Sequence, residues 1–270
     1  MAQRSDKLRA KPADSPANAT TESSGYLVES RRPLTVLAFL LPAILCYELG
    51  TQWLLSDTSA GITVERRVIA FNWVRSFFAQ FGATGTLVAP LATVALLLGW
   101  HVFNRDRWRV RPTVQLAMLA ESIVLALPIL LLGALVAAFF ERGFGLPLNS
   151  AAVATTLHAG VLSDAVLGLG AGVYEELVFR LIAFAVLHTV LCDFIGVRER
   201  AGWVLIVAVT SITFSAYHYL GPEAFTWQSF VFRTLAGVWL SVVFLFRGFG
   251  VAAGCHATYN IGLLIAPTIF

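Results

Sequence analysis

The chain has 270 residues, of which 57% are hydrophobic and 13% are charged, and its formal net charge is +3. Soluble domains carry about 25% charged residues and about 45–50% apolar ones, so this composition excludes an ordinary soluble globular protein. The small net charge gives no indication of nucleic-acid binding, and the long apolar runs predict a polytopic membrane protein with the lipid bilayer as its surroundings.

The N-terminal segment differs in composition from the rest of the chain. Residues 1–32 are rich in charged residues, serine, proline and alanine, which predicts a disordered polar tail. The first apolar run begins at Leu34 and is longer than the roughly 7–15 residues of a signal-peptide core, so a cleaved signal peptide is not indicated. The sequence therefore predicts one membrane domain over residues 33–270.

The membrane domain contains apolar segments of the length that a bilayer span needs, roughly 20 residues. Two further segments are ambiguous: residues 62–81 suit an amphipathic helix at the membrane interface, and residues 150–161 suit a short helix leading into the fourth span. The prediction is an all-α transmembrane helix bundle of about seven spans (six to eight). The predicted spans are 34–55, 84–103, 114–140, 162–191, 202–220, 228–246 and 250–268.

The distribution of basic residues gives the orientation of these spans. With the N-terminus in the cytoplasm and seven spans, thirteen Lys and Arg residues lie in cytoplasmic segments and four on the opposite side. Cytoplasmic loops are the ones enriched in Lys and Arg. We therefore expect a multi-pass protein of the cell (plasma or inner) membrane with a cytoplasmic N-terminus.

Three ionisable residues lie at the centre of the fourth span, where each costs roughly 2.5–3.5 kcal/mol on insertion scales. Glu176 and Arg180 are four residues apart, so they can form an ion pair on one helix face. Glu175 points about 140° away from Arg180 around a helix of 3.6 residues per turn. We expect Glu175 to find its partners on other helices.

Two further spans carry pairs of residues with a spacing of four that include one or two polar side chains. Phe214 and His218 share one face of the fifth span, and His256 and Asn260 share one face of the seventh. Polar residues inside spans face the bundle interior or a water-filled cavity. The second half of the chain therefore predicts a polar site formed by three helices.

The polar residues have two interpretations. They can be structural, hydrogen-bonding one helix to another, and this interpretation is favoured for Glu176 and Arg180 as a supporting pair. For Glu175, His218, His256 and Asn260 a chemical role is favoured, because hydrolysis needs these groups: a buried glutamate as base, an imidazole to share the proton, and donors for an oxyanion.

At these positions the sequence resembles the CPBP family of CAAX proteases and bacteriocin-processing enzymes, which includes the type II CAAX prenyl proteases. The family pattern is Glu-Glu-x-x-x-Arg, then Phe-x-x-x-His, then His-x-x-x-Asn on separate helices. Glu175, Glu176 and Arg180 match the first motif, Phe214 and His218 the second, and His256 and Asn260 the third. The resemblance covers residues 160–268, and we find no departure within the motifs.

The resemblance implies a glutamate-dependent intramembrane endopeptidase. Carried over, Glu175 is the base that activates water with help from His218, and His256 and Asn260 form the oxyanion hole. Glu176 and Arg180 orient Glu175 without contacting the substrate, and Phe214 packs near the site. No cofactor is expected: one Glu and two His can bind zinc, but there is no His-Glu-x-x-His and Asn260 has no natural role as a zinc ligand.

The expected substrate is a membrane-associated protein or peptide. A non-proteolytic membrane protein is the alternative: a proton-linked transporter, a binding partner or an immunity factor. Transporters commonly show two related halves with broken helices, and no such internal repeat is found here. The polar residues cluster in the second half of the chain, which favours the protease.

Other polar residues within the spans are assigned structural roles. Glu48 and Glu121 are expected to hydrogen-bond between helices, and Arg233 to extend to the membrane interface. His188 is expected at the interface too. The three cysteines lie in or beside apolar runs without paired spacing, so neither a disulfide framework nor a zinc ribbon is indicated.

Overall fold

A computed structural model describes residues 25–59, 62–144 and 160–265. Within these residues the chain forms a bundle of eight helices with one short β-hairpin, which confirms the predicted helical membrane fold. The helices are α1 (Pro33–Leu54), α2 (Ile69–Ala79), α3 (Val88–Asn104), α4 (Pro112–Phe144), α5 (Val161–Phe194), α6 (Glu199–Tyr217), α7 (Trp227–Arg247) and α8 (Phe249–Ile265).

Each of the seven predicted spans corresponds to one helix. In the described part of the chain, five helices (α1, α4, α5, α6 and α7) are long and apolar enough to cross a membrane. The other two are α3 and α8; α3 and the described part of α8 have 17 residues each, which is about 25 Å at 1.5 Å per residue. The predicted short helix at 150–161 falls almost entirely outside the described residues, and α5 begins at Val161.

The segment 62–81 is not one amphipathic helix. Its first part is strand β2 (Ile62–Glu65), which pairs antiparallel with β1 (Ser56–Ser59), and only Ile69–Ala79 is helical. The run Ile62-Thr63-Val64 is β-branched throughout, which favours strand over helix. The interfacial-helix prediction was therefore wrong for the first third of this segment.

A buried arginine just before α2, Arg67, forms an ion pair with α1. The side chain of Arg67 is 1% exposed, and it donates to Glu48 on α1 at 2.9 Å and to Glu65 at 2.7 Å. Burial by itself would lower the pKa of Arg67, but hydrogen bonds to Glu65 and Glu48 outweigh it and raise the pKa. Glu48 also accepts from the Tyr174 hydroxyl on α5 at 3.3 Å, so it joins helices as expected.

The N-terminus of α1 is preceded by a helical turn at residues 25–29. The Tyr26 hydroxyl donates to Glu121 on α4 at 2.6 Å, and Glu121 accepts from Arg247 on α7 at 2.7 Å. Glu121 thus hydrogen-bonds between helices, as predicted. This helical turn falls inside the predicted polar tail, of which residues 1–24 lie outside the described part.

Helices α5 and α8 approach each other closely through glycine. A Cβ on Gly172 would lie 2.6 Å from Ala257 Cβ and 2.9 Å from the Ala253 carbonyl oxygen, so a side chain at this position would separate the two helices. Gly248, with φ of 87°, is the single residue between α7 and α8. Glycine adopts this left-handed conformation without steric cost, which lets α8 turn back into the bundle beside α7.

Candidate active site

The motif residues meet where α5, α6 and α8 pack together. Helix α5 contributes Glu175, Glu176 and Arg180, and the side chains of all three are almost completely buried. Directly after Glu176, α5 changes to π-helical hydrogen bonding over Leu177–Ile182. Such π segments are often found at functional sites.

Glu175 faces two histidines from different helices. Its Oε2 atom lies 3.8 Å from His218 Nε2 and 3.9 Å from His256 Nε2. Its other oxygen, Oε1, accepts a hydrogen bond from the Tyr217 hydroxyl at 3.3 Å. Among the described residues Oε2 has no hydrogen-bond partner, and the residue is 4% exposed. The structure thus brings three of the four predicted catalytic residues together.

The ion pair expected within α5 is present. Arg180 Nη1 donates to Glu176 Oε1 at 3.1 Å, and its Nη2 donates to the Gly237 carbonyl on α7 at 3.0 Å. The guanidinium carbon lies 4.4 Å from the centroid of the Phe214 ring. Arg180 therefore links α5 to α6 and α7 at the level of the site.

Glu176 contacts a histidine rather than Glu175. Its Oε1 lies 2.8 Å from His256 Nδ1 and already accepts a hydrogen bond from Arg180. With Glu176 ionised opposite Arg180, Oε1 can only accept, so Nδ1 of His256 is assigned as the donor. The supporting pair thus fixes the ring of His256, whereas the resemblance implied that it orients Glu175.

The tautomer of His218 follows from its backbone contact. Its Nδ1 lies 2.8 Å from the Phe214 carbonyl oxygen, which can only accept, so Nδ1 carries the proton. In the neutral ring Nε2 is then an acceptor, and it is the atom that faces Glu175. His218 lies at the junction of α6 and the 3-10 turn His218–Leu220.

Asn260 lies one turn beyond His256 on α8, and its amide makes a different contact. Its Nδ2 donates to the Gly168 carbonyl of α5 at 3.2 Å. A Cβ on Gly168 would come within 2.9 Å of Asn260 Cβ, so glycine is what allows the contact. An Asn amide carries two N–H groups, and this bond uses one of them.

Two features of the site were not identified from the sequence. Tyr217 reaches Glu175 from the residue before the motif histidine, and a tyrosine at that place in a span has no distinguishing signal. Arg233 is buried in a two-point ion pair with Glu223, at 2.5 and 2.7 Å, where we expected it to extend to the interface. The acidic residue Glu223, in the loop before α7, could have indicated from the sequence that Arg233 forms an ion pair.

A cluster of potential metal ligands lies away from the motif residues, at the connection between α5 and α6. In the described ranges, one group has His, Cys, Asp or Glu ligand atoms that all lie within 4.8 Å of one another: His188, Cys192 and Glu199. Glu175, His218 and His256 do not meet that spacing. His188 Nε2 lies 3.0 Å from Glu199 Oε1, to which Trp203 also donates. These hydrogen bonds account for the arrangement at the α5–α6 connection.

Comparison with known proteins agrees with the geometry. Residues 156–262 match the family described as Rce1-like, type II CAAX prenyl endopeptidase Rce1-like. This segment contains every motif residue and confirms the resemblance, although it is less than half of the chain. No curated protein and no solved structure matches the chain. The apolar helices indicate a multi-pass membrane protein, and its residues 156–262 are similar to the CAAX prenyl endopeptidase family.

Proposed function

We propose that this protein is an intramembrane endopeptidase in which Glu175 and His218 activate a water molecule for attack on a peptide bond. The observation that carries the proposal is the position of Glu175 Oε2, 3.8 and 3.9 Å from two imidazole nitrogens. These separations are too long for direct hydrogen bonds and are of the size that one bridging water spans.

The first step is removal of a proton from that water. Glu175 Oε2 and His218 Nε2 are both acceptors, because Nδ1 of His218 is committed to the Phe214 carbonyl. One water can therefore donate one hydrogen to each. Glu175 takes the proton as the new bond forms between the water oxygen and the substrate carbonyl carbon, which converts the carbonyl to an oxyanion.

The oxyanion is then stabilised from α8. With Nδ1 of His256 donating to Glu176, Nε2 can donate to the oxyanion when the ring is doubly protonated. Because Glu175 has by then taken the water proton, the oxyanion and the Glu176 carboxylate balance the charges of Arg180 and His256 in the buried cluster. The second N–H of Asn260 is the other proposed donor. Collapse breaks the C–N bond, and the proton held by Glu175 passes to the leaving amine.

We propose that this mechanism needs no metal ion. Zinc is bound with ligand distances of about 2.0–2.3 Å, which draws its ligand atoms close together. Glu175 Oε2 lies 3.8 and 3.9 Å from the two imidazoles, but among the described residues Glu175, His218 and His256 do not form a group whose ligand atoms all lie within 4.8 Å of one another. This spacing favours a water activated by protein groups alone.

The proposed substrate is a membrane-associated protein or peptide cleaved near or within the bilayer. We further propose that the protein resides in the cell membrane with its N-terminus in the cytoplasm. This orientation is supported by the excess of Lys and Arg on one side of the predicted spans.

The test is a comparison of protein termini in membranes of cells that express wild-type protein, Glu175→Gln or Glu121→Gln. Glu121 is an acidic residue on α4 that pairs with Arg247, so its variant is a matched control for loss of one carboxylate. We expect a new terminus with wild type and Glu121→Gln that disappears in Glu175→Gln.

A second pair of variants tests the partner. His218→Ala should abolish the same terminus, while His188→Ala, a histidine at the exposed end of α5, should retain it. If every variant gives the wild-type set of termini at equal abundance, the protease assignment is wrong and a transport or binding function takes its place.

A further inference from the structure

We infer that Tyr217 is a positioning residue that holds the carboxylate of Glu175 in its reactive orientation. The inference deepens the proposed function and rests on it, since it assigns a role relative to the proposed base. It starts from the only side-chain hydrogen bond that the described residues make to Glu175.

The direction of this hydrogen bond is set by a second one. The Tyr217 oxygen accepts from the backbone N–H of Ala70, in the first turn of α2, at 2.8 Å. That N–H is among the first four of the helix and has no intrahelical acceptor. Because the oxygen receives this hydrogen, its own hydrogen is free to point at Glu175 Oε1, 3.3 Å away.

The tyrosine ring is held rigidly. Tyr217 is 3% exposed and Ala70 is fully buried. The ring makes edge contacts with Trp73 of α2 and Phe179 of α5, each with ring centroids 5.1 Å apart. The hydroxyl is thus fixed between α2 and α5, and Glu175 must adapt to it.

This contact decides which carboxylate oxygen reaches the histidines. The terminal torsion of a glutamate side chain is broad and nearly two-fold, so the carboxylate of Glu175 is not oriented by its own rotamer preference. Anchoring Oε1 on Tyr217 leaves Oε2 directed at His218 and His256. Tyr217 touches the base and not the reacting atoms, so its role is positioning.

Tyr174 provides a matched control for Tyr217. Its hydroxyl also donates to a buried glutamate at 3.3 Å, but the acceptor is Glu48, away from the site. Both tyrosines are buried, so Tyr217→Phe and Tyr174→Phe each remove one hydroxyl from a buried Tyr–Glu pair. A general effect of losing such a hydroxyl appears in both variants, and an effect on the base appears in one.

The experiment measures kcat and KM of purified protein in lipid nanodiscs, on a peptide that spans the cleavage site found by the terminus comparison. We expect Tyr217→Phe to lower kcat about tenfold with KM unchanged, because misorientation of a catalytic group affects the chemical step. Tyr174→Phe should leave both constants at wild-type values. Equal losses in the two variants, or a wild-type kcat in Tyr217→Phe, would overturn the inference.

An infrared measurement tests the same contact without turnover. The difference spectrum between wild type and Glu175→Gln isolates the carboxyl bands of Glu175, and Tyr217→Phe should shift these bands while Tyr174→Phe should not. Bands that are identical in wild type and Tyr217→Phe contradict the inference. A shifted band in a protein that cleaves no substrate leaves the positioning contact intact and shows that the proposed function has failed.

Discussion

Replacing Gly172 with alanine should disable the site while leaving every motif residue in place. Gly172 lies on α5 three residues before Glu175, where α5 packs on α8. Its added Cβ would come within 2.6 Å of Ala257 Cβ, 2.7 Å of Ala257 N and 2.9 Å of the Ala253 carbonyl oxygen. Two of these neighbours are backbone atoms of α8, so the clash cannot be relieved by a side-chain rotation.

The size of the effect follows from these distances. Carbon atoms in good contact lie about 3.5–4.0 Å apart, so α5 and α8 must separate locally by about 1 Å. Ala257 is next to His256, whose ring is hydrogen-bonded to Glu176 on α5. A displacement of about 1 Å at catalytic groups can cost about 100-fold in rate, and overpacking of this kind costs about 1–3 kcal/mol of stability.

The assay compares Gly172→Ala with Gly99→Ala. Gly99 lies within α3, and a Cβ added there would have no neighbouring atom within 4 Å. Alanine at this position should therefore be neutral or stabilise the helix by up to about 1 kcal/mol. Cleavage is measured per folded molecule, with folded protein quantified by size-exclusion chromatography after mild heating.

Wild-type turnover per folded molecule in Gly172→Ala would refute the reasoning. That result would mean that the α5–α8 distance does not set the geometry of Glu175 and His256. A loss of folded protein with unchanged turnover would refute it equally, because the substitution would then act on stability alone.

Three further outcomes are expected. Arg67→Gln should lower the melting temperature strongly, because removing one partner of a buried ion pair costs about 3–5 kcal/mol, whereas the same change at the exposed Arg66 should have little effect. Burial and the contact with Glu121 raise the pKa of Tyr26 to about 12. The stability that the Tyr26 hydroxyl adds is therefore complete below about pH 10 and is lost as the pH rises towards about 12. The difference in melting temperature between wild type and Tyr26→Phe should shrink over that interval. Metal chelators should leave cleavage unchanged in both wild type and His188→Ala, and inhibition that survives His188→Ala would place an essential metal at the catalytic residues.

The sequence predicted those parts of the site that depend on spacing along one helix. Glu176 and Arg180 are four residues apart and form the expected ion pair, because helix geometry alone brings them together. The direction of Glu175, away from that pair and towards other helices, follows from the same geometry. Gly168 and Gly172 permit the close approach of α5 to α8 that brings these motifs together.

Contacts between helices were not predictable in the same way. The bond from His256 to Glu176 joins residues 80 positions apart, and the relative depth of α5 and α8 that allows it is set by packing. Arg67 looked like part of the polar face of an interfacial helix, because nothing nearby in the sequence identifies Glu48 as its partner. The role of Asn260 remains a prediction, since its amide is seen bonded to Gly168.

The long interval between Glu176 and His256 also has a consequence for biosynthesis. At about 5–20 residues per second, the ribosome needs several seconds after making Glu176 to produce the histidine 80 residues later. During that time the centre of α5 carries two carboxylates, Glu175 and Glu176, and one arginine into the membrane, with the intrahelical contact between Glu176 and Arg180 as the neutralising pair. Nascent α5 should therefore stay beside the translocation channel or a membrane chaperone until α8 emerges. A chain truncated before α8 should be recognised by quality-control proteases.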